Sequence, residues 1–423
     1  MTQRQEVLDG NPVSFAEALD RSDDILHKID LPDKQRKFKD FLTDHKKEIE
    51  GLVKLHRNSR DADMLKSSGW TYGRHSVCIP VRVKSNPTTI HSIFRVPLPY
   101  RVGEERRPGN ADEKVRCEVA TYLWIRENCP EIPIPHLYGY GFQRGGSFVD
   151  HAEFEPNERS RWRTGQRFPR WFGRPPKLPF VERESPNQFG IAYMVVDEIT
   201  KGNKLSDLLD AILDVPYRRK NFFDDLADIM LRLRSAPMDR IGSLTVREDT
   251  VSIANRPFTK HLAAWDSEGI PTIPREETFK TVESYIMALL ECHDNAIRRQ
   301  GNAIRHLADG QSQLSNILMM RALFNQFTDK RYRKGPFVLT LTNLTTHNIM
   351  VDRHGHITSL INLNWACSLP VEMLTPPYWL VDLAADDIDY ANLIDDFLDS
   401  LRAREKVFPD YHHDSNAASL PAI

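Results

Sequence analysis

The sequence predicts an α+β protein with two lobes, a small strand-rich lobe followed by a larger helical one. Residues 77–83 and 90–96 alternate between apolar and polar side chains, which is typical of half-buried strands. Further along the chain, apolar residues recur at helical spacing over 220–234, 276–299 and 312–328. A chain of 423 residues is long enough to give each lobe its own core.

The order of these patterns divides the chain into segments. Residues 1–66 are polar with a helical pattern, and we expect a helical N-terminal extension packed on the small lobe. We expect the small lobe over 67–198 and the helical lobe over 199–408. Residues 144–190, rich in Arg, Pro, Gly and aromatics, are too long for an ordinary connection and predict an insert. The polar tail over 409–423 is expected to be disordered.

One helix of the small lobe has a clear start signal. Asn110 followed three residues later by Glu113 matches a capping box, and the helix is expected to run to about Arg126. A strand over 191–196 and a helix near 205–213 are predicted beyond it.

The segment FVLTLTNLTTHNIMVDRHGHITSLINLNWAC, residues 337–367, is the most informative for function. Two short apolar strands over 337–341 and 349–351 enclose a polar loop. A turn and a third apolar run over 357–361 follow, and that run ends on Asn-Leu-Asn-Trp.

This layout has the spacing of a kinase phosphate-transfer centre. In such kinases the first loop supplies an Asp that orients the acceptor hydroxyl, while an Asn five residues later and an Asp after the third strand hold magnesium. Here Asn343 stands at the base position, Asn348 is the expected Asn, and Asn362 replaces the metal-binding Asp. Asn364 replaces a second acid often found two places later. These positions keep the spacing of the kinase motif but lack its negatively charged side chains.

Motifs over residues 67–400 extend this similarity. In order they are FRVPLPY at 94–100, PGNADEKVRCE at 108–118, ENCP at 127–130, CHDN at 292–295, GPFVLT at 335–340, WACSLP at 365–370 and PPYW at 376–379. Together they resemble the fungal branch of the aminoglycoside-phosphotransferase-like proteins. The resemblance implies the two-lobed protein-kinase-like fold, ATP and Mg²⁺ as cofactors, and a small-molecule acceptor in a fungal secondary-metabolite setting.

The amides are expected to weaken or abolish the family reaction. Magnesium prefers anionic oxygen, whereas Asn362 offers a neutral carbonyl of the same shape. Losing a charge-assisted contact typically costs about 1.5–3 kcal/mol, and each ~1.4 kcal/mol is tenfold in rate. Asn343 cannot accept a proton, so it cannot act as a general base. The alternative interpretation is that Asn343, Asn348, Asn362 and Asn364 are turn residues, which Asn favours.

The nucleotide-binding side of the kinase pattern is partly kept. The resemblance implies that Glu118 pairs with a strand cation, and Arg95 is the candidate on the preceding strand. The alternative is a surface ion pair of little energetic value. The stretch VVDEI at 195–199, which includes Asp197 and Ile199, is the expected hinge, whose backbone could pair with an adenine ring. Gly73 gives only a weak signal for a phosphate-binding loop.

Composition excludes several classes of function. A net charge of −2 predicts no general attraction to nucleic acid, and no apolar run is long enough for a membrane span. The five cysteines lack CxxC spacing, so neither zinc nor a disulfide framework is indicated. We expect a cytoplasmic protein with a small-molecule ligand, and a protein partner stays open.

A basic, aromatic stretch lies within the predicted insert. Residues 159–177, RSRWRTGQRFPRWFGRPPK, have seven basic residues and no acidic ones. Either the stretch contacts an anion, a membrane surface or an acceptor site, or its aromatics pin an irregular insert to the body. Flanking acids favour the second interpretation.

Three functions remain open from the sequence. The first is a pseudokinase-like protein that binds a nucleotide or small molecule after losing phosphotransfer. The second is an active ATP-dependent small-molecule phosphotransferase, and the third is a different enzyme chemistry in the same cleft. The fold alone does not choose among them.

Overall fold

The structure is a computed structural model that describes residues 6–8, 11–13, 28–85, 88–154, 158, 178–184, 190–247, 250–380 and 388–408. Two segments with a prediction above, the Arg-rich stretch 159–177 and the tail 409–423, lie outside the described residues.

An antiparallel sheet is the centre of the first lobe. A separate pair of short strands, β1 (Glu6–Leu8) and β2 (Asn11–Val13), precedes it in the chain. The strands of the sheet are β3 (Ala62–Met64), β4 (Thr71–Tyr72), β5 (Ser76–Ser85), β6 (Thr88–Pro97), β7 (Leu137–Gly141), β8 (Ser147–Asp150), β9 (Phe180–Arg183) and β10 (Tyr193–Asp197). Their order is β3-β5-β6-β10-β7-β8-β9, with β4 paired to β5.

Helices cover both faces of this sheet. Helices α1 (Leu31–Asp44) and α2 (Lys46–Arg57) share a core with Val77, Ile79 and Phe94 on one face. Cys78 lies opposite Arg95 in the β5–β6 register, so both side chains point to the other face. Helix α3 (Asn110–Asn128) packs on that second face, which also borders the second lobe. The alternating pattern of β5 and β6 therefore places Arg95 beside α3.

The start of α3 differs from the predicted capping box. The N-cap residue is Gly109 at φ +92°, which has no side chain to bond to the first turn of the helix. Glu104 takes that role, because its two carboxylate oxygens accept from the backbone N–H groups of Gly109 and Ala111, each at 2.7 Å. Asn110 and Glu113 are instead buried and bond to the second lobe. The prediction failed because tertiary partners compete for these side chains.

The second lobe is mainly helical. Its helices are α4 (Leu205–Leu213), α5 (Pro216–Arg234), α6 (Lys260–Glu268), α7 (Val282–Arg299), α8 (Leu307–Leu323) and α9 (Ile388–Val407). Its strands are β11 (Asn203–Lys204), β12 (Ser243–Arg247), β13 (Thr250–Asn255), β14 (Phe337–Leu341), β15 (Ile349–Val351), β16 (Ile357–Leu360) and β17 (Ala366–Pro370). They form three small sheets, β11-β15-β16, β12-β13 and β14-β17.

Several element bounds differ from the sequence predictions. The helix expected from 276 begins at Val282, where Thr281 caps it by accepting from the Ser284 N–H. The helix expected over 312–328 lies earlier, at Leu307–Leu323. The purely helical pattern expected before residue 67 is interrupted by β1, β2 and β3. Strands β8 and β9 fall inside the predicted insert and join the main sheet.

The architecture is α+β with two lobes, in the order that the sequence predicts. A strand-rich lobe with one long packed helix leads through β10 into a helical lobe, whose β14–β16 loops return to the first lobe at Arg95. Within the described residues, no helix is both long and apolar enough to cross a membrane.

Candidate functional site

Two loops of the helical lobe carry the asparagines of the predicted site. Asn343 and Asn348 lie in the loop between β14 and β15, and Asn362 and Asn364 follow β16. Strands β15 and β16 form a hairpin, and β14 pairs with β17 immediately beyond the second loop. This double pairing holds the two loops side by side.

The four asparagines form one hydrogen-bonded chain. Asn343 Nδ2 donates to Asn364 Oδ1 at 2.9 Å, and Asn348 Nδ2 donates to the backbone carbonyl of Asn343 at 2.7 Å. Asn362 Nδ2 donates to Asn348 Oδ1 at 3.2 Å. The structure therefore brings together all four residues that the spacing singled out.

Arg95 joins this chain of amides to the first lobe. Its Nη2 donates to Asn362 Oδ1 at 2.6 Å, and its Nη1 donates to Glu118 Oε1 at 2.5 Å. The arginine and glutamate side chains are 6% and 1% exposed, so the pair is buried and not a surface ion pair. One guanidinium thus bridges β6, α3 and the loop after β16.

Lys114 is a third member of this cluster that the sequence analysis missed. Its Nζ donates to Glu118 Oε2 at 3.2 Å, one helical turn away, and its side chain is 2% exposed. The i, i+4 spacing of Lys114 and Glu118 on the predicted helix was the available signal. We name Arg95, Lys114 and Glu118 the cation cluster.

The cation cluster shifts the pKa of its own members. Burial alone would raise the pKa of Glu118, but Arg95 and Lys114 together hold it below its usual value. Burial lowers the pKa of Lys114 to about 8, and Glu118 offsets only part of that effect. The carboxylate is therefore ionised and bonds to both cations, so the cluster as a whole carries one more positive charge than negative.

The turn between β4 and β5 closes over the cluster. The His75 ring meets the Trp365 ring edge-on at 5.1 Å, which links the first lobe to the loop after β16. Trp365 adopts φ +66° and is 3% exposed. Burial, followed by the charges of Lys114, Arg74, Arg101 and Lys260, lowers the pKa of His75 to about 3. This neutral histidine is surrounded by cations.

The predicted hinge is engaged with its own lobe. Tyr138 Oη donates to Asp197 Oδ1 at 2.5 Å, and the Asp197 N–H donates to the His136 carbonyl at 3.0 Å. Burial raises the pKa of Asp197. Ile199 follows it, half-buried, in the connection to β11. The side chain and N–H of Asp197 already have protein partners.

The donor set does not fit magnesium. Asn348 Oδ1 and Asn362 Oδ1 already accept from Asn362 Nδ2 and Arg95 Nη2. Both oxygens are neutral, and the positive charge of the Arg95 guanidinium beside them would repel a magnesium ion. Among the described residues, no group of three or more His, Cys, Asp or Glu is placed to hold a metal ion.

Known proteins offer little that resembles this chain in sequence. No family model matches it, and no curated protein does either. Among solved structures it is similar to a macrolide 2'-phosphotransferase type I, with a TM-score of 0.40 and 10% identity over 85% of this chain and 81% of that chain. So distant a likeness carries no argument about fold or chemistry.

Proposed function

We propose that this chain is a kinase-fold protein of the aminoglycoside-phosphotransferase type that has lost metal-dependent phosphotransfer and uses its cleft to bind a nucleotide or small molecule. The observation that carries the proposal is the hydrogen bond from Arg95 Nη2 to Asn362 Oδ1. It places a fixed cation on the oxygen that a magnesium ion would need. The fungal secondary-metabolite setting rests on the sequence motifs alone.

The amide network supports loss of the base as well. Asn343 Nδ2 donates to Asn364 Oδ1, and the backbone carbonyl of Asn343 accepts from Asn348 Nδ2. An amide has no basic site near neutral pH, so the proton of an acceptor hydroxyl has no destination there. General-base catalysis commonly contributes about 10²–10⁴-fold, and its loss adds to the loss of the metal.

One observation favours a second candidate, an active ATP-dependent phosphotransferase acting on a small-molecule hydroxyl. The Arg95–Glu118 pair is intact and buried, and kinases need such a pair to position the phosphates. In this candidate, positioning of the substrates alone would accelerate phosphotransfer enough to compensate for the missing carboxylates.

Thermal unfolding with ATP, in Mg²⁺ and in EDTA, together with an assay of ATP turnover, distinguishes the two candidates. The proposal predicts no Mg²⁺-dependent rise in the unfolding temperature and no turnover above background. A Mg²⁺-dependent stabilisation accompanied by turnover would establish the active phosphotransferase instead.

A reversion series sharpens this test. The double substitution Asn343→Asp with Asn362→Asp restores both acids without changing side-chain size, and Asn128→Asp at the exposed end of α3 is the matched control. We expect Mg²⁺-dependent ATP binding to appear in the double variant only. Equally high turnover in the original and the reverted protein would show that our account of the site is wrong.

A further inference from the structure

The cation cluster contains an unbalanced charge in a buried place. Arg95 and Lys114 carry two positive charges and Glu118 carries one negative charge, and all three side chains are at most 6% exposed. A buried charge without a counter-charge destabilises the folded protein. Perturbed buried charges of this kind cluster at functional sites, where a ligand can supply the missing charge.

The replacement at position 362 is the source of the imbalance. Arg95 Nη2 lies 2.6 Å from Asn362 Oδ1, a distance at which a carboxylate would neutralise the second cation. The amide keeps the hydrogen bond and removes the charge. Its effect is therefore twofold: it removes a metal ligand, and it leaves the cluster with an excess positive charge.

Unused hydrogen-bond donors accompany that charge. Arg95 Nε, Tyr122 Oη and Trp365 Nε1 are buried, and none of them has a partner among the described residues. Tyr122 lies close enough to the cluster for Glu118 and Arg95 to act on its pKa, which burial raises. Lys114 Nζ lies 5.8 Å from the centre of the Trp365 ring. All three groups can donate to an acceptor-rich anion, and the arginine and tryptophan N–H groups have no lone pair to offer a metal ion.

The surroundings of the cluster are also cationic. Cys78 lies next to the cluster, and the pKa of its thiol is affected by the cluster residues and also by the positive charge of Lys204. Arg74, Arg101 and Lys260 act on His75 on the other side, as described above. Asn343, Asn348 and Asn362 are only half-buried, so the amide loops that border the cluster are partly open to solvent.

We propose that the cleft binds a phosphate-bearing anion without a divalent metal, and that Arg95 and Lys114 supply the positive charge that magnesium supplies in a working kinase. This inference rests on the proposed function, because it requires that no metal occupies the site. The ligand class is a pyrophosphate group, either free or as part of a nucleotide or phosphorylated small molecule. A guanidinium matches the geometry of phosphate oxygens, and the ammonium adds a point charge.

The test is calorimetric titration with inorganic pyrophosphate in EDTA, using the full chain. We expect binding in EDTA and at least about tenfold weaker binding in Asn362→Asp, because the new carboxylate neutralises the excess cation. Lys114→Met should weaken binding to a similar extent. The matched controls, Asn128→Asp and the exposed Lys220→Met, should leave the affinity unchanged. Near-ultraviolet circular dichroism verifies that each variant is folded.

Two additional ligands identify the source of the anion. ATP binding in EDTA with no binding of adenosine supports a nucleotide held by its phosphates. Pyrophosphate binding without ATP binding supports the same site with a smaller phosphorylated ligand. Absence of pyrophosphate binding in EDTA, or an affinity that Asn362→Asp and Lys114→Met leave unchanged, overturns the inference.

The turnover assay separates this inference from the proposed function. If neither turnover nor anion binding is found, the inference fails and the loss of phosphotransfer stands. If pyrophosphate or ATP binds only with Mg²⁺ and turnover accompanies it, both fail.

Discussion

Helix α3 contributes to two buried polar networks that treat charge differently. Its first turn joins a network around Arg256 that ties the helix to the second lobe. Its second turn carries the cation cluster, which meets the amide loops. Both networks draw a glutamate from this helix and pair it with a buried arginine from elsewhere in the chain. The difference between them indicates which network stabilises the fold and which one faces a ligand.

The Arg256 network places its excess charge where water can solvate it. Arg256 is fully buried, and it donates to Glu113 Oε1 at 2.8 Å and to Asp266 Oδ2 at 2.7 Å. Arg275 and Arg107 bond to the same carboxylates, but their side chains are 34% and 26% exposed. Every fully buried charge therefore has an opposite partner, as a structural network requires.

The cation cluster has no such arrangement. Its excess positive charge lies on fully buried side chains, and the neighbouring amides supply oxygens without charge. The first network holds α3 against the second lobe, so Arg95 and Lys114 are fixed before any ligand arrives. Fixed cations favour anion binding, because their side chains lose little conformational entropy when the anion binds.

The largest effect is expected at the Arg256 network. Arg256→Met leaves Glu113 and Asp266 with fewer partners in a buried site, and we expect a loss of about 3–5 kcal/mol in the free energy of unfolding. Urea denaturation measures it, with the exposed Arg402→Met as the matched control. A loss no larger than that of the control would contradict the structural role assigned to this network.

A somewhat smaller effect is expected for Glu118→Gln. The substitution leaves Arg95 and Lys114 buried without any counter-charge, which should cost about 3 kcal/mol. In contrast to the Arg256 variant, pyrophosphate in EDTA should restore most of this loss, because the anion replaces the carboxylate charge. Thermal unfolding with and without pyrophosphate measures the difference. Equal responses of the two variants to pyrophosphate would remove the distinction between the networks.

The smallest effect concerns pH. Lys114 has a pKa of about 8 in the folded protein and 10.5 as a free side chain, so the unfolded chain binds more protons between these values. Stability from this group therefore rises as pH increases above about 8, by roughly 1 kcal/mol between pH 7 and pH 9. Lys114→Met should lose this rise, and the exposed Lys220→Met should keep it. Urea midpoints at the two pH values give the comparison.

The sequence located the amide loops well. The bounds predicted for β14, β15 and α4 match the structure, because short apolar runs flanked by polar turns have few alternatives. The four asparagines were found by spacing alone. The spacing does not reveal that their side chains bond to one another, since this depends on how two loops pack.

Other features depend on tertiary partners that no local pattern shows. Asn110 and Glu113 look like a capping box, yet Arg256, more than a hundred residues away, takes both side chains. The Trp365–His75 contact joins two loops from different lobes. The hairpin β12–β13 was not anticipated, and the strands β8 and β9 were hidden by the irregular composition between them.

The account depends most directly on the cleft's rejection of a divalent ion. Crystals grown with Mn²⁺ and a non-hydrolysable triphosphate can be examined by anomalous diffraction, which identifies the metal without ambiguity. We predict no manganese peak between Asn348 and Asn362, and phosphate oxygens against Arg95 and Lys114. An ordered Mn²⁺ bound by both amide oxygens alongside the triphosphate would contradict the account.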